Sequence, residues 1–259
     1  MLGAPNLDVS RFTSHVMLIA RVNSKLETRN PKLPFVFINM AITADGKIAT
    51  ANRKVSSFGS KRDQEHLFEL RATADAVMCG AGTINSGPVI LDPGAAKFRR
   101  LRTRRGLAEY NLRIIASGSG NVNPEAEIFK KKFSPVLILT TDRAGEEKLK
   151  PLRAVATEIK SFGAQEVDLR KALQWLREKW KVKRLLCEGG GELDDALFRA
   201  GLVNELHLTI CPKIFGGRKA PTIAEGDGIP KLANAAQLKL KSMERIGDEL
   251  FAVYSVLQK

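Results

Sequence analysis

The chain has 259 residues, of which 44% are hydrophobic and 27% are charged. This is the composition of an ordinary globular protein, and it excludes collagen-like, coiled-coil and wholly disordered chains. A chain of this length can bury a core large enough to need no disulfide or metal. No apolar run approaches the ~18–20 residues of a membrane span, and so no membrane partner is expected. The first residues lack the basic and apolar regions of a signal peptide, and we therefore expect a cytoplasmic protein.

Basic residues exceed acidic ones by 42 to 28, a formal net charge of +14. The surplus predicts an anionic partner, which could be nucleic acid, anionic lipid or a phosphorylated small molecule. The cysteines Cys79, Cys187 and Cys211 are widely spaced in apolar runs, as is typical of buried thiols in a reducing compartment. The three histidines are isolated in the sequence, so we expect them to be structural or exposed and predict no metal site.

Residues 1–33 are mixed and polar, and we expect them to be an N-terminal extension of a single domain over residues 34–259. Within the extension, Val16–Val22 fits either a short helix or a strand. Short apolar runs predict strands over residues 35–42, 75–79, 111–116, 135–139, 155–159, 184–187, 205–210 and 251–257. Helical periodicity predicts helices over residues 60–72, 169–180 and 193–199, the first capped by Ser60.

Strands that alternate with helices predict an α/β fold, a three-layer αβα domain with a mostly parallel sheet. The last two predicted strands alternate in hydrophobicity, which favours a closing antiparallel pair. The basic stretch Lys97–Arg105 has three interpretations: a solvated loop, a nucleic-acid contact, or an attractor of phosphorylated ligands. Nucleic-acid binding is less favoured, because only Phe98 could stack on a base and no nucleic-acid motif is present.

Three predicted strands end in glycine-rich turns, namely Gly80–Thr83, Ser117–Gly120 and Glu188–Leu193. Ligands of α/β sheets bind at the carboxyl ends of the strands, where glycine lets the backbone approach a phosphate. Together the three turns predict a dinucleotide site. The alternative is that the glycines only close turns. A G-x-G-x-x-G fingerprint would need a glycine where Asn85 stands, so the common Rossmann fold is not indicated.

Several stretches occur together in the order and spacing of one known family. They are residues 38–49 (INMAITADGKIA), 70–83 (LRATADAVMCGAGT), 187–193 (CEGGGEL), 202–206 (LVNEL) and 212–217 (PKIFGG). In these motifs the chain resembles the reductase domain of riboflavin biosynthesis, which is the C-terminal domain of bifunctional deaminase–reductases. The resemblance implies a dihydrofolate-reductase-like fold, NADPH as cofactor and a homodimer.

The family reaction reduces the ribosyl group of 5-amino-6-(5-phosphoribosylamino)uracil to a ribityl chain by direct hydride transfer. Such chemistry depends on placement and exclusion of water more than on a strong acid or base. The H-x-E and P-C-x-x-C motifs of a zinc deaminase are not found in the sequence. The alternatives are a dihydrofolate- or pterin-type reductase on the same fold and, from another class, a basic nucleic-acid-binding protein.

The resemblance also implies site residues. On the cofactor side they are Ala41, Ser57, Gly80, Gly82, Thr83, Ser117, Gly189, Gly190, Gly191, Glu192 and Leu193. On the substrate side they are Asn39, Arg71 and Glu188. Arg71 is expected to pair with the substrate phosphate, or else to be a helix-surface charge.

Glu188 and Asp45 are the catalytic candidates, and Asp45 could instead be a carboxylate that stabilises a turn. The hydroxyls of the turn over residues 117–121, together with the many basic residues, predict a preference for NADPH over NADH. Which basic residue would meet the 2′-phosphate is left open. Residues 85–91 depart from the D-D-P-x-L that is common in the family.

Overall fold

Strand β1 (Phe35–Thr43) lies inside a sheet of nine strands formed by the described residues. The computed structural model describes residues 30–53 and 57–257. The described residues from Lys32 onward form one compact unit. The expected extension lies almost wholly outside the described residues, and so do Val16–Val22 and His15.

The sheet follows the predicted strands closely. Its other strands are β2 (Ala76–Gly80), β3 (Leu112–Ala116), β4 (Val136–Thr140), β5 (Glu158–Ser161), β6 (Arg184–Cys187), β7 (Glu205–Cys211), β8 (Gln237–Ile246) and β9 (Glu249–Leu257). The spatial order is β5-β4-β3-β2-β6-β1-β7-β9-β8. Strands β1 to β7 are parallel, while β9 runs antiparallel to both β7 and β8. The predicted mostly parallel sheet with an antiparallel end is thus confirmed.

Seven α-helices and a short 3₁₀ helix (Leu232–Asn234) are found among residues 57–257. The α-helices are α1 (Lys61–Arg71), α2 (Ala81–Ser86), α3 (Ala96–Arg104), α4 (Glu127–Lys130), α5 (Glu146–Arg153), α6 (Leu169–Lys179) and α7 (Gly191–Arg199). Apolar residues of α6 and α7 pack on Val36, Ile38 and Met78 of the sheet. On the other face, the His66 ring of α1 lies 5.8 Å from that of His207 on β7. The helices therefore cover both faces of the sheet.

The N-terminus of helix α1 is fixed to the start of strand β9. The Ser60 hydroxyl accepts hydrogen bonds from the N–H groups of Arg62 and Asp63, which confirms the predicted cap. Glu249, at the start of β9, accepts from Ser60 N at 2.7 Å and from its hydroxyl at 2.6 Å. This carboxylate satisfies a helix terminus and joins α1 to the C-terminal hairpin.

The structure corrects two predictions about local structure. The strand predicted over residues 155–159 begins three residues later, because Val155 lies in the turn that closes α5 and is 38% exposed. The basic stretch from Lys97 is helix α3 rather than a solvated loop. Its buried Arg102 donates to the carbonyl oxygens of Arg71 and Ala74, each at 2.6 Å. The Arg71 carbonyl, in the last turn of α1, otherwise accepts among the described residues only from the Ala74 N–H at 3.3 Å, and the buried guanidinium adds a charged donor there.

The other cations of this stretch are also largely engaged within the fold. Lys97 pairs with Glu65, Arg99 pairs with Glu109, and Arg105 donates to the carbonyl oxygen of Ala72. The three cysteines are free and buried, as expected. No helix of the described part is long and apolar enough to cross a membrane.

Candidate active site

A row of polar side chains crosses the sheet beneath α1. Cys187 of β6 pairs with Ile38 of β1, and Asn39 pairs with His207 of β7. Successive side chains of a strand point to opposite faces, so Glu188 and Asn39 lie side by side on the face that α1 covers. The structure therefore brings together two residues that the sequence placed on the substrate side.

The third substrate-side candidate, Arg71, lies over this row at the end of α1 and contacts Glu188. Its Nε and Nη2 donate to the two carboxylate oxygens of Glu188, each at 2.6 Å, and its Nη1 donates to the carbonyl oxygen of Asp92 at 2.6 Å. Only 8% of the Arg71 side chain and 11% of the Glu188 side chain are exposed. Arg71 is therefore not a helix-surface charge, and the bidentate face expected to meet a phosphate is occupied by Glu188.

Asn39, like the neighbouring His207 Nδ1, has a buried polar atom without a partner among the described residues. The Asn39 Oδ1 accepts no hydrogen bond from residues 30–53 and 57–257, and the residue is only 9% exposed. A buried acceptor without a donor is costly unless a ligand or water supplies one. Asn39 and the adjacent Glu188 thus offer hydrogen-bond acceptors to a molecule that carries hydroxyl or amino groups.

The neighbouring His207 is hydrogen-bonded to Glu205, two residues before it on β7. Burial alone would raise the pKa of Glu205, but hydrogen bonds from His207 and Lys241 lower it to about 2. As a carboxylate, Glu205 accepts from His207 Nε2 at 2.7 Å and from Lys241 Nζ at 2.5 Å. This chain of contacts was not foreseen from the sequence, because Lys241 lies on β8, where no strand was predicted.

Two of the three glycine-rich turns meet beside the polar row. The Gly80 N–H donates to the Gly189 carbonyl at 2.8 Å, and a Cβ on Gly190 would lie 3.7 Å from Thr83 Oγ1. Gly189 has φ +75°, and a Cβ there would lie 2.9 Å from Met40 Sδ. Backbone without side chains therefore lines this part of the strand ends, as a phosphate-bearing ligand requires.

Gly191, the first residue of α7, is packed from behind by a distant loop. A Cβ there would lie 2.5 Å from the Thr222 carbonyl oxygen, and the Gly191 carbonyl accepts from Glu225 N at 2.9 Å. Of the adjoining cofactor candidates, Glu192 is exposed, whereas the Leu193 side chain lies in the core. Leu193 therefore supports the turn rather than presenting its side chain to a ligand.

The third turn lies beyond β2, at the end of β3. Ser117 follows Ala116, which pairs with Gly80 across the sheet. The Asn85 side chain of α2 donates to the Asn121 carbonyl at 3.0 Å and accepts from Asn123 N at 2.9 Å. The segment that departs from the family pattern thus fastens α2 to the loop after β3. Gly82, within α2, accepts from the Ser86 hydroxyl.

Three other candidates lie around the end of β1. Ala41 is half-buried there and pairs with Thr209. Asp45 is exposed and accepts from the Thr43 hydroxyl and the backbone N–H groups of Phe215 and Gly216, bonds that lower its pKa. These are the contacts of a carboxylate that stabilises a turn. The Ser57 hydroxyl accepts from the Gln64 amide. Its role at the cofactor stays a prediction.

A buried acid that the sequence analysis missed lies under the glycine turn. Asp194 of α7 is fully buried, and Cys187 Sγ lies 3.2 Å from its Oδ1. Burial raises the pKa of Asp194 to about 8, although the Cys187 contact opposes the shift. At neutral pH the group is therefore a neutral carboxylic acid. Its one sequence signal is its position between Leu193 and Leu197 on the apolar face of α7.

We predict that Arg71→Ala lowers the free energy of unfolding by about 3–5 kcal/mol, because Glu188 is left buried without a counter-ion. Chemical denaturation measures the loss. The double variant Arg71→Met with Glu188→Gln removes both charges and should recover most of the stability. A loss below about 1 kcal/mol for Arg71→Ala would show that the pair is not buried as described.

We predict that Asp194→Asn stabilises the protein at about pH 8 and has little effect below about pH 4. The folded chain retains a proton on Asp194 that the unfolded chain loses above its ordinary pKa of 3.8. Wild-type stability therefore falls as the pH rises from about 4 through about 8, and an amide cannot ionise. Thermal unfolding should show a gain of about 1–3 kcal/mol at the higher pH. A constant difference between the variants over this range would contradict a buried neutral acid.

The RibD C-terminal domain family matches residues 34–252. A 2,5-diamino-6-ribosylamino-4(3H)-pyrimidinone 5′-phosphate reductase from Archaeoglobus fulgidus is 34% identical over 220 residues, which cover 85% of this chain and 96% of that protein. A protein of the same name from Methanothermobacter thermautotrophicus is 32% identical and is covered to 98%. Its alignment spans 86% of this chain.

Among solved structures, a pyrimidine reductase-like protein from Corynebacterium diphtheriae superposes with a TM-score of 0.73 at 22% identity. The match covers 92% of this chain and 98% of that one. This likeness confirms the predicted three-layer, dihydrofolate-reductase-like fold. The family match extends over most of the chain, from the residue before β1 into β9, and includes every polar and glycine-rich segment of the site. The chain therefore belongs to the RibD C-terminal domain family.

Proposed function

We propose that the chain is an NADPH-dependent reductase of a ribosylaminopyrimidine 5′-phosphate in riboflavin biosynthesis. The observation that carries the proposal is the placement of Asn39 and Glu188 side by side, next to the meeting point of two glycine turns. A polar pocket for a hydroxyl-rich substrate thus adjoins a backbone surface suited to a dinucleotide.

NADPH fits the strand ends on two grounds. Gly80, Gly82 and Gly190 leave backbone uncovered there: a Cβ on Gly82 would meet nothing within 4 Å, and one on Gly190 would meet only Thr83 Oγ1, at 3.7 Å. Residues 117–120 continue this surface across β3. When bound, NADPH supplies the hydride, and its diphosphate would face the first turn of α7, where backbone N–H groups lack intrahelical partners.

The residues of this chain act on the substrate by positioning it. Glu188 is held by both nitrogens of the Arg71 fork, and its oxygens retain lone pairs that can accept from hydroxyls of the ribosyl chain. The buried Oδ1 of Asn39 can accept from an amino or hydroxyl group. Together they would fix the carbon that is reduced, while α1 excludes water from above.

The role of Arg71 is refined by its contacts. We assign it the positioning of Glu188 rather than the bidentate capture of a phosphate, because Nε and Nη2 are both engaged with Glu188. The substrate phosphate is then held by other groups. The positive net charge still favours an anionic ligand at long range.

The preferred substrate that we propose differs from the uracil compound that the resemblance implied. The two archaeal relatives carry the name of a 2,5-diaminopyrimidinone reductase, whereas the family reaction first considered uses the 2-oxo compound, a uracil. The two substrates differ in the group at position 2 of the ring. We propose the diaminopyrimidinone as the preferred substrate.

We expect NADPH oxidation with 2,5-diamino-6-ribosylamino-4(3H)-pyrimidinone 5′-phosphate, slower oxidation with the uracil analogue, and none with dihydrofolate. Mass spectrometry should show that the product has gained one hydride and one proton. Glu188→Gln should lower kcat/KM about 10–150-fold, since a charge-assisted hydrogen bond to the substrate is lost. Glu178→Gln removes an exposed carboxylate of α6, outside the site, and should leave kcat/KM unchanged. Turnover of dihydrofolate alone would overturn the proposal in favour of a pterin-type reductase.

We also propose that the enzyme is a homodimer that covers the edge strand β8. Leu238 and Leu240 of β8 are 42% and 49% exposed, and they pair with Val256 and Tyr254 of β9, which pack against the core. An apolar strip therefore continues from the core to an open edge, where Met243 is 61% exposed. Long edge strands with apolar side chains are covered in stable proteins.

We expect sedimentation at micromolar concentration to give twice the chain mass of 28.5 kDa. Leu240→Glu should shift the protein toward the monomer, because it places a charge in the apolar strip. Leu232→Glu is the matched control, since Leu232 is 86% exposed in a short 3₁₀ helix outside the sheet. A wild-type monomer at these concentrations would refute the dimer, and equal dissociation by both variants would refute the assigned interface.

A further inference from the structure

The proposed function determines which end of the dinucleotide lies where along the strand ends. Asn39 and Glu188 lie at β1 and β6, so the nicotinamide, which must meet the substrate, belongs there. The strands then continue in the order β2, β3 and β4. The adenosine end of an extended dinucleotide therefore lies toward the ends of β3 and β4, where the turn over residues 117–120 is found.

This turn is fastened to the end of β4 by two hydroxyl groups. Thr140 Oγ1 donates to the Ser117 carbonyl at 2.8 Å, and Thr141 Oγ1 donates to the Gly118 carbonyl at 2.6 Å. The backbone that follows is fixed as well, because the Asp142 and Arg143 N–H groups donate to the carbonyls of residues 163 and 164. The base of the Arg143 side chain is thus held in a defined place beside the turn.

The Arg143 guanidinium lies against the turn over residues 117–120 and has no counter-ion in the part of the chain that the structure describes. Its Nη2 would be 3.3 Å from a Cβ on Gly118, so the glycine at 118 leaves space for the guanidinium. Arg143 is exposed, and it has no ion-pair partner among residues 30–53 and 57–257. Ser117 follows Ala116, which pairs with Leu139 of β4, and its hydroxyl makes no hydrogen bond to the described residues.

The carboxylates nearest in sequence to Arg143 are directed elsewhere. Asp142 accepts from the Ser161 hydroxyl, and Glu146 pairs with Arg153. The Glu147 carboxylate lies near Gly145, where a Cβ would be 3.1 Å from its Oε1. The guanidinium is therefore available to an external anion.

We propose that Arg143 recognises the 2′-phosphate of NADPH and sets the preference for NADPH over NADH. An arginine beside the adenosine ribose is the usual means of accommodating a 2′-phosphate, and its planar fork suits phosphate oxygens. The inference rests on the proposed function, because it assumes that a dinucleotide binds along these strand ends. Lys148 of α5 flanks the other end of the turn, with its Cβ 3.7 Å from a Cβ position on Gly120. Arg143 is assigned instead, because its guanidinium itself lies against the turn.

Calorimetric titration with two nucleotide fragments tests the inference without turnover. Wild type should bind adenosine 2′,5′-bisphosphate more tightly than adenosine 5′-monophosphate. Arg143→Ala should weaken the bisphosphate about 10–100-fold, since one charge-assisted pair is lost, and should change the monophosphate less than about twofold. Arg143→Lys keeps the charge without the fork and should fall between them. Arg104→Ala on α3 removes an exposed arginine elsewhere and should alter neither affinity.

The kcat/KM values for NADPH and NADH should follow the same pattern, with the NADPH value alone reduced in Arg143→Ala. The inference is overturned if Arg143→Ala weakens both fragments equally or neither, or if Lys148→Ala causes the loss instead. It is also overturned if wild type does not discriminate between the fragments. In each of these cases turnover of the pyrimidine by the wild-type enzyme leaves the proposed function intact. Absence of both fragment binding and turnover would overturn the proposed function as well.

Discussion

The buried ion pair between Arg71 and Glu188 is the constraint on which the site depends. A carboxylate at the end of a central strand would be costly to bury alone, and the guanidinium at the end of α1 neutralises it with two hydrogen bonds. Helix α1 must therefore lie where its last turn reaches β6. In this position α1 covers Asn39. Arg71, Glu188 and Asn39 then form a polar layer between the helix and the sheet.

A second guanidinium supports the first. Arg102 of α3 donates to the carbonyl oxygens of Arg71 and Ala74, and Phe98 stacks on Phe68 of α1 with ring centroids 5.5 Å apart. Helix α3 thus fixes the end of α1 from which Arg71 projects. The cations of this region bind protein carbonyls and carboxylates, and their number reflects internal structure as much as attraction for a partner.

The sequence was sufficient for the elements whose signal is local. Apolar runs located the strands that are buried on both faces, and Ser60 marked the start of α1. Strand β8 was missed because it is exposed along most of its length and carries charges that mask its alternation. Helix α3 was missed because one of its two buried positions is filled by Arg102, which counts as polar in any pattern and leaves Phe98 as the one buried apolar residue.

The same distinction applies to the site. The motifs brought out Asn39, Arg71, Glu188 and the glycine turns, and the fold places the first three in mutual proximity. The Arg71–Glu188 pairing could not be inferred, because the two residues are 117 positions apart and either could have faced a ligand. Asp194 and Arg143 have no motif at all. Asp194 is notable because it is buried, and Arg143 because its guanidinium lies against Gly118.

The packing of Gly191 against the loop over residues 222–225 links two distant parts of the sequence. No side chain fits at position 191 while the Thr222 carbonyl holds its place, and the loop in turn bonds to the Gly191 carbonyl. Substitutions in the two segments should therefore arise together in related chains. In a relative whose loop over residues 222–225 is shorter or displaced, a larger residue could stand at position 191. A chain that keeps the loop must keep the glycine.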